Sequence, residues 1–197
     1  MSTSCFDFLH NSPDSYNPCL LESGFVSYSD ATLEVIGLFV PKLGWCEILV
    51  SSFSDTHPSI ANLEFVALIL SFLLAHQLQP KERHIHLFVD NQNAQAWSRG
   101  VIHNDSNLSI SLTSVNSFLQ SMLNVVQTRA YIKSKDNKDA DAISRLCFLN
   151  SENLPQFSAS LMMLQFLRSL VDLPDTNPSV NLHRVHTMLQ SEGFCPF

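Results

Sequence analysis

One apolar run limits the folds open to this chain more than any other feature. Residues 63–75 are almost entirely apolar, and Glu64 is the only charged residue between positions 55 and 81. A membrane-spanning helix needs about 20 apolar residues, so the run is too short to cross a bilayer. Pro58 suits the first turn of a helix. The sequence therefore predicts a buried helix over residues 58–77.

Acidic residues stand at the ends of other predicted elements. Asp30 follows the strand-like run GFVSYS, Asp90 follows HIHLFV, and Asp141 opens the last short helix. A carboxylate at the end of a buried strand costs several kcal/mol unless it is paired or binds a cation. Together with Glu64 inside the apolar helix, these residues indicate a divalent-metal site.

The order of strand-like and helix-like runs predicts an α/β fold. Three strands separated by turns favour an antiparallel meander, and helices that connect later strands imply parallel pairing. A glycine, Gly100, ends the second helix, and Asn137 is placed as the cap of the last one. The predicted strands are 25–30, 35–40, 45–51, 84–90 and 128–133, and the predicted helices are 58–77, 92–99, 108–126 and 137–146.

Composition is that of a globular chain, with 45% hydrophobic and 15% charged residues. The net charge of −7 is unusual for a protein that binds nucleic acid, since phosphate contacts need a basic surface. Residues 81–145, however, contain eight of the eleven Lys and Arg residues and six acids, a local excess of two positive charges. A duplex is expected to meet this half of the domain.

The sequence also predicts how the chain is divided into segments and in which compartment the protein resides. We expect a flexible leader over 1–23, one domain over 24–146, and a helical tail of unknown role over 147–197, with helices at 157–173 and 179–191. Five cysteines without paired spacing argue against a zinc site or a disulfide framework and favour a reducing compartment. The start of the chain has no secretory signal. An intracellular protein is expected, in the cytoplasm or the nucleus, without a membrane partner.

Four motifs follow one another within residues 24–146: SDAT (29–32), NLEFVALILSF (62–72), LFVDNQNAQAW (87–97) and KDNKDADAISR (135–145). By these motifs the segment resembles a type 1 ribonuclease H domain of the retroelement kind. The similarity is to gypsy-type long-terminal-repeat and tyrosine-recombinase retrotransposons, and more distantly to hepadnavirus-like polymerases. The last motif is the most specific, because a lysine, Asp-Asn and an Ala-Asp-Ala-(Leu/Ile)-Ser-Arg run follow a strand in those families. The resemblance implies a ribonuclease H-like fold: a mixed five-stranded sheet, three antiparallel strands and then parallel strands, with flanking helices.

The resemblance also implies an activity, the hydrolysis of the RNA strand of RNA–DNA hybrids by a reverse-transcriptase-derived endonuclease. Two Mg²⁺ ions, or Mn²⁺ in their place, would serve as cofactors, one activating water and the other stabilising the leaving oxygen. Asp30 is expected to bridge the ions, with Glu64 and Asp90 on the leaving-group side and Asp141 on the water side. The implied partners are the hybrid and a polymerase domain.

Residues beside the acids are candidates for substrate binding. Asn91 and Gln92 are expected to contact the nucleic-acid backbone or a 2′-hydroxyl, the group that distinguishes RNA from DNA. Ser29 and Thr32 flank Asp30 and are expected to act in the same way.

Each candidate also has a structural explanation. Asp30 suits a turn, Glu64 the N-terminus of a helix and Asp90 a helix cap. The structural alternatives for the other residues are Asp136 or Asp139 in place of Asp141, a core position for Trp97, and strand neighbours with no metal for His84 and His86.

The alternative function is a catalytically inactive ribonuclease H-like scaffold or nucleic-acid-binding module of a retroelement polymerase. It is favoured by the very apolar run 63–75 and the amphipathic helix predicted over 157–173, both of which suit contacts with a partner. The chain also departs from the family at two places. Lys133-Ser134 stands where relatives frequently have Pro-Gly, and no basic helix follows Asn91. A transposase or integrase core is disfavoured, because it needs a late helical glutamate for which the sequence offers no suitable residue.

Overall fold

The computed structural model describes residues 25–52, 54, 58–101 and 107–159, and six further positions between 164 and 187. Its strands are β1 (Phe25–Ala31), β2 (Val35–Val40), β3 (Gly44–Leu49), β4 (His84–Val89), β5 (Val126–Tyr131) and β6 (Gln156–Phe157). Its helices are α1 (Ile60–Leu78), α2 (Gln92–Ser98), α3 (Asn107–Leu123) and α4 (Lys138–Ser144). Short 3₁₀ turns cover Val50–Ser52 and Ser134–Asp136.

The strands form one mixed sheet in the order β5-β4-β1-β2-β3-β6. β1, β2 and β3 pair antiparallel, whereas β1 with β4 and β4 with β5 pair parallel. The prediction of antiparallel strands followed by parallel strands within an α/β fold is therefore confirmed. The parallel register places the carboxyl ends of β1 and β4 side by side.

The predicted number of five strands is wrong, because β6 pairs parallel with β3 and makes six. Gly44 allows this pairing. A Cβ atom at Gly44 would collide with the ring of Phe157 and with the carbonyl of Pro155, and that carbonyl accepts a hydrogen bond from the Trp45 amide at 3.1 Å. A strand of two residues is too short to show a period of two in the sequence.

The apolar helix α1 packs on the sheet and against α2 and α3. The helix begins at Ile60, two residues after the predicted start at Pro58, and its N-cap Ser59 accepts from the amide of Asn62. By length and composition α1 is the one helix of the described residues that suffices to cross a membrane, but 78% of its most apolar stretch is buried inside the protein. The buried Ser71 hydroxyl hydrogen-bonds the Ser27 hydroxyl of β1 at 2.5 Å. These contacts confirm the prediction of a buried helix.

The other predicted elements differ from the structure mainly at their ends. α3 ends at Leu123 and β5 begins at Val126, two or three residues earlier than predicted, because Asn124 adopts a positive φ of 50°. Leu112 and Leu119 of α3 are fully buried. Trp97 is 7% exposed and packs against Phe65, with ring centroids 6.1 Å apart, so the core interpretation of this tryptophan is confirmed.

The C-terminal part of the described chain packs on the same core. Phe157 belongs to β6, so the helix predicted over 157–173 does not begin where expected. Leu167 and Val171 are helical positions buried in the core, which extends the packed unit beyond residue 146. The predicted leader 1–23 lies outside the described residues, and so does the predicted helix 179–191 apart from position 187.

Gly37 of β2 lets α4 approach the sheet closely. A Cβ atom at Gly37 would lie 2.5 Å from the Ala140 carbonyl oxygen and 2.6 Å from the Ser144 amide nitrogen. Both obstructing atoms are backbone atoms, so the helix as a whole would have to move. Because Gly37 has no side chain, α4 can pack directly on β1 and β2.

We expect Gly37→Ala to lower the free energy of unfolding by about 3 kcal/mol, at the upper end for overpacking, because no side-chain rotation relieves the clash. Gly100→Ala is the matched control. Gly100 has a positive φ of 81° but open space around it. Its replacement by alanine should therefore lower the free energy of unfolding by only about 1 kcal/mol. Urea denaturation of both variants measures the difference, and an equal loss would contradict the close-packing role of Gly37.

Candidate metal centre

Three of the predicted acids meet at one end of the sheet. Asp30 is the penultimate residue of β1, and Asp90 directly follows β4. The parallel register that pairs Tyr28 with Phe88 brings Asp30 level with Asp90. Glu64, from the second turn of α1, completes a group whose ligand oxygens all lie within 4.8 Å of one another. This buried acidic cluster has the geometry to bind a metal ion.

Burial and mutual repulsion oppose the ionisation of the clustered acids, and no basic side chain is among the causes that shift the pKa values of Asp30 and Glu64. Burial, followed by the charges of Asp30 and Asp90, raises the pKa of Glu64 to about 9. Burial is also the main cause that raises the pKa of Asp30 to about 6, although a hydrogen bond from Ser144 opposes it. Glu64 is 4% exposed, and its Oε2 atom has no hydrogen-bond partner. An unpartnered carboxylate oxygen in a buried site is the donor that a cation requires.

Asp141 lies beside this cluster but outside the group of three. Its charge contributes to the raised pKa of Asp30, which places it on the same side of the sheet end. Its Oδ1 atom forms an ion pair with Nε of Arg145 at 2.8 Å. The neighbouring acids Asp136 and Asp139 do not contribute to the pKa of Asp30. The choice of Asp141 among the three, and its approach to the cluster, stay predictions.

Two further residues, Asn137 and Ser144, hold α4 against the cluster. The Asn137 side-chain amide donates to the carbonyl of Ser29 at 2.9 Å, and the Ser144 hydroxyl hydrogen-bonds Oδ2 of Asp30. Asn137 occupies the N-cap position of α4, as predicted, but its side chain makes no capping hydrogen bond. The helix that carries Asp141 is thus tied to β1 through the Ser29 carbonyl and the Asp30 carboxylate.

Sequence reasoning did not assign these roles to Asn137 and Ser144. Both residues lie inside the motif KDNKDADAISR, which was the available signal. Their partners are more than 100 positions away along the chain, so no local pattern identifies them.

The four predicted substrate-binding residues are mostly engaged within the protein. Ser29 is 1% exposed. The Thr32 hydroxyl accepts from the Val35 amide, closing the turn between β1 and β2. The side-chain oxygen of Asn91 caps α2, whereas Gln92 is exposed. A substrate can reach Gln92 and the partly exposed Thr32 and Asn91, but not the buried Ser29 side chain, and the contacts themselves stay predictions.

The structural explanations for the three clustered acids do not hold. Asp30 lies within β1 and not in a turn, and Glu64 lies beyond the first turn of α1. The N-cap of α2 is Asn91, so Asp90 has no capping role.

The histidine pair stays apart from the acidic cluster. His84 and His86 stack with ring centroids 5.6 Å apart, as expected for neighbours on one face of a strand. Across the described ranges, the group of Asp30, Glu64 and Asp90 is the one set of three side chains placed to share a metal ion.

Comparison of the chain with protein-family models, with curated proteins and with solved structures finds no match. The chemistry of the site therefore has to be inferred from its own residues.

Proposed function

We propose that the chain is a metal-dependent endonuclease that hydrolyses the RNA strand of RNA–DNA hybrids. The observation that carries the proposal is the convergence of Asp30, Glu64 and Asp90 within 4.8 Å at the end of two parallel strands. The sheet, with antiparallel strands followed by parallel ones, supports it. So does the resemblance of four motifs, in order, to retroelement ribonuclease H domains.

The residues of the cluster fit Mg²⁺, with Mn²⁺ as a substitute. All the donors are carboxylate oxygens, which hard divalent cations prefer. Glu64 and Asp30 are buried and held in place, whereas Asp90 is partly exposed, so the site has a closed side and an open side for substrate. Two bound divalent ions supply Lewis acidity and an acidified water molecule. Asp30, Glu64 and Asp90 would hold the ions, and the ions would in turn orient the scissile phosphate.

Asp141 is assigned to the water side of the second ion. It is now paired with Arg145, whose side chain is 61% exposed. Exposed ion pairs contribute about 0–1 kcal/mol, so exchanging Arg145 for a cation costs little. The hydrogen bonds of Asn137 and Ser144 tie α4, which carries Asp141, to β1 beside the cluster.

We also propose an origin, a partner and a location in the cell for the protein. The protein derives from a retroelement reverse transcriptase. Its partner is therefore a polymerase domain, and its substrate is the RNA–DNA hybrid. An intracellular location, in the cytoplasm or the nucleus, suits the free thiols of Cys46 and Cys147, since free thiols persist in reducing compartments.

A strand-specific cleavage assay tests the proposal. With Mg²⁺ and a hybrid labelled on either strand, we expect the RNA strand to be cut to products with 5′-phosphate and 3′-hydroxyl ends. The DNA strand should stay intact, and EDTA should stop the reaction. Single-stranded RNA and duplex DNA are the matched control substrates. Equal cutting of single-stranded RNA, or cutting that survives EDTA, would contradict the proposal.

A catalytically inactive scaffold or nucleic-acid-binding module is the second candidate function. The observation that favours it is the pairing of Asp141 with Arg145 outside the group of three acids. A magnesium titration separates the two candidates. An active site binds two ions, whereas a scaffold that has lost productive metal binding takes up none.

A further inference from the structure

Two arginines, Arg99 and Arg129, lie together at the edge of the sheet formed by β5. Arg99 directly follows α2, and its Nη2 donates to the carbonyl of Arg129 at 2.7 Å. Arg129 is half-buried within β5, and its Nε and Nη2 donate to Oε1 of Gln127 at 3.1 and 2.6 Å. Both guanidinium groups bind neutral acceptors, and Arg99 is held at the backbone of Arg129, where its charge acts on the Arg129 side chain.

This pair lacks an anion. Within the part of the chain that the structure describes, neither arginine forms an ion pair with a carboxylate. Burial and then the charge of Arg99 lower the pKa of Arg129 to about 10, with no acid acting against them. Gln127 is 7% exposed, and its Nε2 has no hydrogen-bond partner. The two arginines and Gln127 therefore have hydrogen-bond donors without acceptors in the described part of the chain. The positive charge of the pair is not balanced by a neighbouring acid among the described residues.

Arg99 also covers the open edge of β5. With the Gln95 amide oriented to satisfy its neighbours, the Gln95 oxygen accepts from the Tyr131 amide at 2.8 Å and from Nη2 of Arg99 at 3.0 Å. Edge strands are commonly protected in this way. The edge role uses one nitrogen of Arg99. Its other guanidinium nitrogens, and Nη1 of Arg129, form no hydrogen bond with the described residues.

The arginine pair lies at a defined distance from the acidic cluster. Arg129 pairs with Leu87 of β4, and Asp90 comes three residues after Leu87. A strand rises about 3.3 Å per residue and its neighbour lies about 4.8 Å away, which gives a backbone separation of about 11 Å. Phosphates of one strand follow one another about every 3.4 Å along the helix axis, so the pair lies within a few nucleotides of the cluster.

We infer that Arg99 and Arg129 bind a backbone phosphate of the nucleic-acid substrate within a few nucleotides of the cleaved bond. The identity of this ligand rests on the proposed function. A guanidinium group matches two phosphate oxygens at once, and an arginine pair without a carboxylate has no competing counter-ion. Through this site a chain with a net charge of −7 can bind a polyanion locally.

Binding of a hybrid, measured without cleavage, tests the phosphate site. We expect Arg99→Gln/Arg129→Gln to raise the dissociation constant for a fluorescent RNA–DNA hybrid in EDTA about tenfold, and to reduce the slope of log K against log salt by about one. Lys42→Gln/Lys81→Gln removes the same charge from two exposed positions and should change binding less than about twofold. An equal effect of both double variants would overturn the site, and so would wild-type protein that binds no hybrid.

A chemical measurement on the unmodified sequence covers the case in which the arginine variant does not fold. The hybrid should protect Arg99 and Arg129 from phenylglyoxal, read by mass spectrometry, while Arg83 at the opposite end of β4 stays reactive. Absence of protection at Arg99 and Arg129 would overturn the site. Polyglutamate that displaces the hybrid as well as unlabelled hybrid does would also overturn it, by showing that any polyanion suffices.

Binding and cleavage experiments test the phosphate site and the proposed cleavage reaction separately. Arginine-dependent binding without cleavage would contradict the reaction and support the phosphate site. Cleavage that does not depend on these arginines would contradict the site alone.

Discussion

Replacing Asp90 by asparagine is expected to lower the rate of RNA-strand cleavage at least about a thousandfold. The change removes one negative ligand of the proposed metal centre, and a thousandfold loss corresponds to about 4 kcal/mol of the activation barrier. Asp90 is the acid of the cluster that is partly exposed and follows a strand. Its replacement should therefore leave the fold intact, so that the loss reports on chemistry. Single-turnover cleavage of a labelled hybrid measures it.

Asp136→Asn is the matched control for this substitution. Asp136 is exposed on the 3₁₀ turn before α4 and lies outside the group of clustered acids. Its replacement should change the rate less than about twofold, since surface charges away from the site have small effects. Equal cutting by the Asp90 variant and the wild type would mean that the observed nuclease is not this protein.

Replacing Glu64 by glutamine is expected to stabilise the metal-free protein at pH 8 and to abolish its stabilisation by Mg²⁺. The folded pKa of Glu64 is about 9, raised from 4.5. The contribution of this carboxyl group to stability is thus complete below pH 4.5 and is lost as the pH rises towards 9. One such group loses about 1.4 kcal/mol per pH unit. Glutamine does not titrate, so the variant avoids a loss of several kcal/mol.

Thermal unfolding in EDTA and in Mg²⁺, at pH 5 and pH 8, measures both effects. In EDTA the Glu64→Gln variant should melt above the wild type at pH 8 and close to it at pH 5. Saturating Mg²⁺ should raise the melting temperature of the wild type, because a ligand at a hundred times its dissociation constant adds about 2.7 kcal/mol. An equal response of both proteins to Mg²⁺ would show that Glu64 does not bind the ion.

The sequence predicts the elements that bear the cluster because their signals are local. β1 and β4 are apolar runs, and the acids at Asp30 and Asp90 interrupt them. Glu64 is conspicuous as one charge inside a long apolar helix. These patterns locate each side chain within its own element, and the alternation of strands and helices predicts that parallel strand ends meet.

The remaining features depend on contacts between distant parts of the chain. The hydrogen bonds of Asn137 and Ser144 to β1, and the close approach that Gly37 allows, become apparent only when α4 lies on the sheet. β6 is too short to show a pattern. The pairing of Asp141 with Arg145 is an i,i+4 contact that the sequence permits, but its competition with the metal site depends on the position of α4.

The most direct measurement is the anomalous scattering of crystals grown with Mn²⁺. The account predicts a manganese ion bound by carboxylate oxygens of Asp30, Glu64 and Asp90, and a second ion about 4 Å away towards Asp141. Manganese located elsewhere on the molecule, with none among these three side chains, would contradict it.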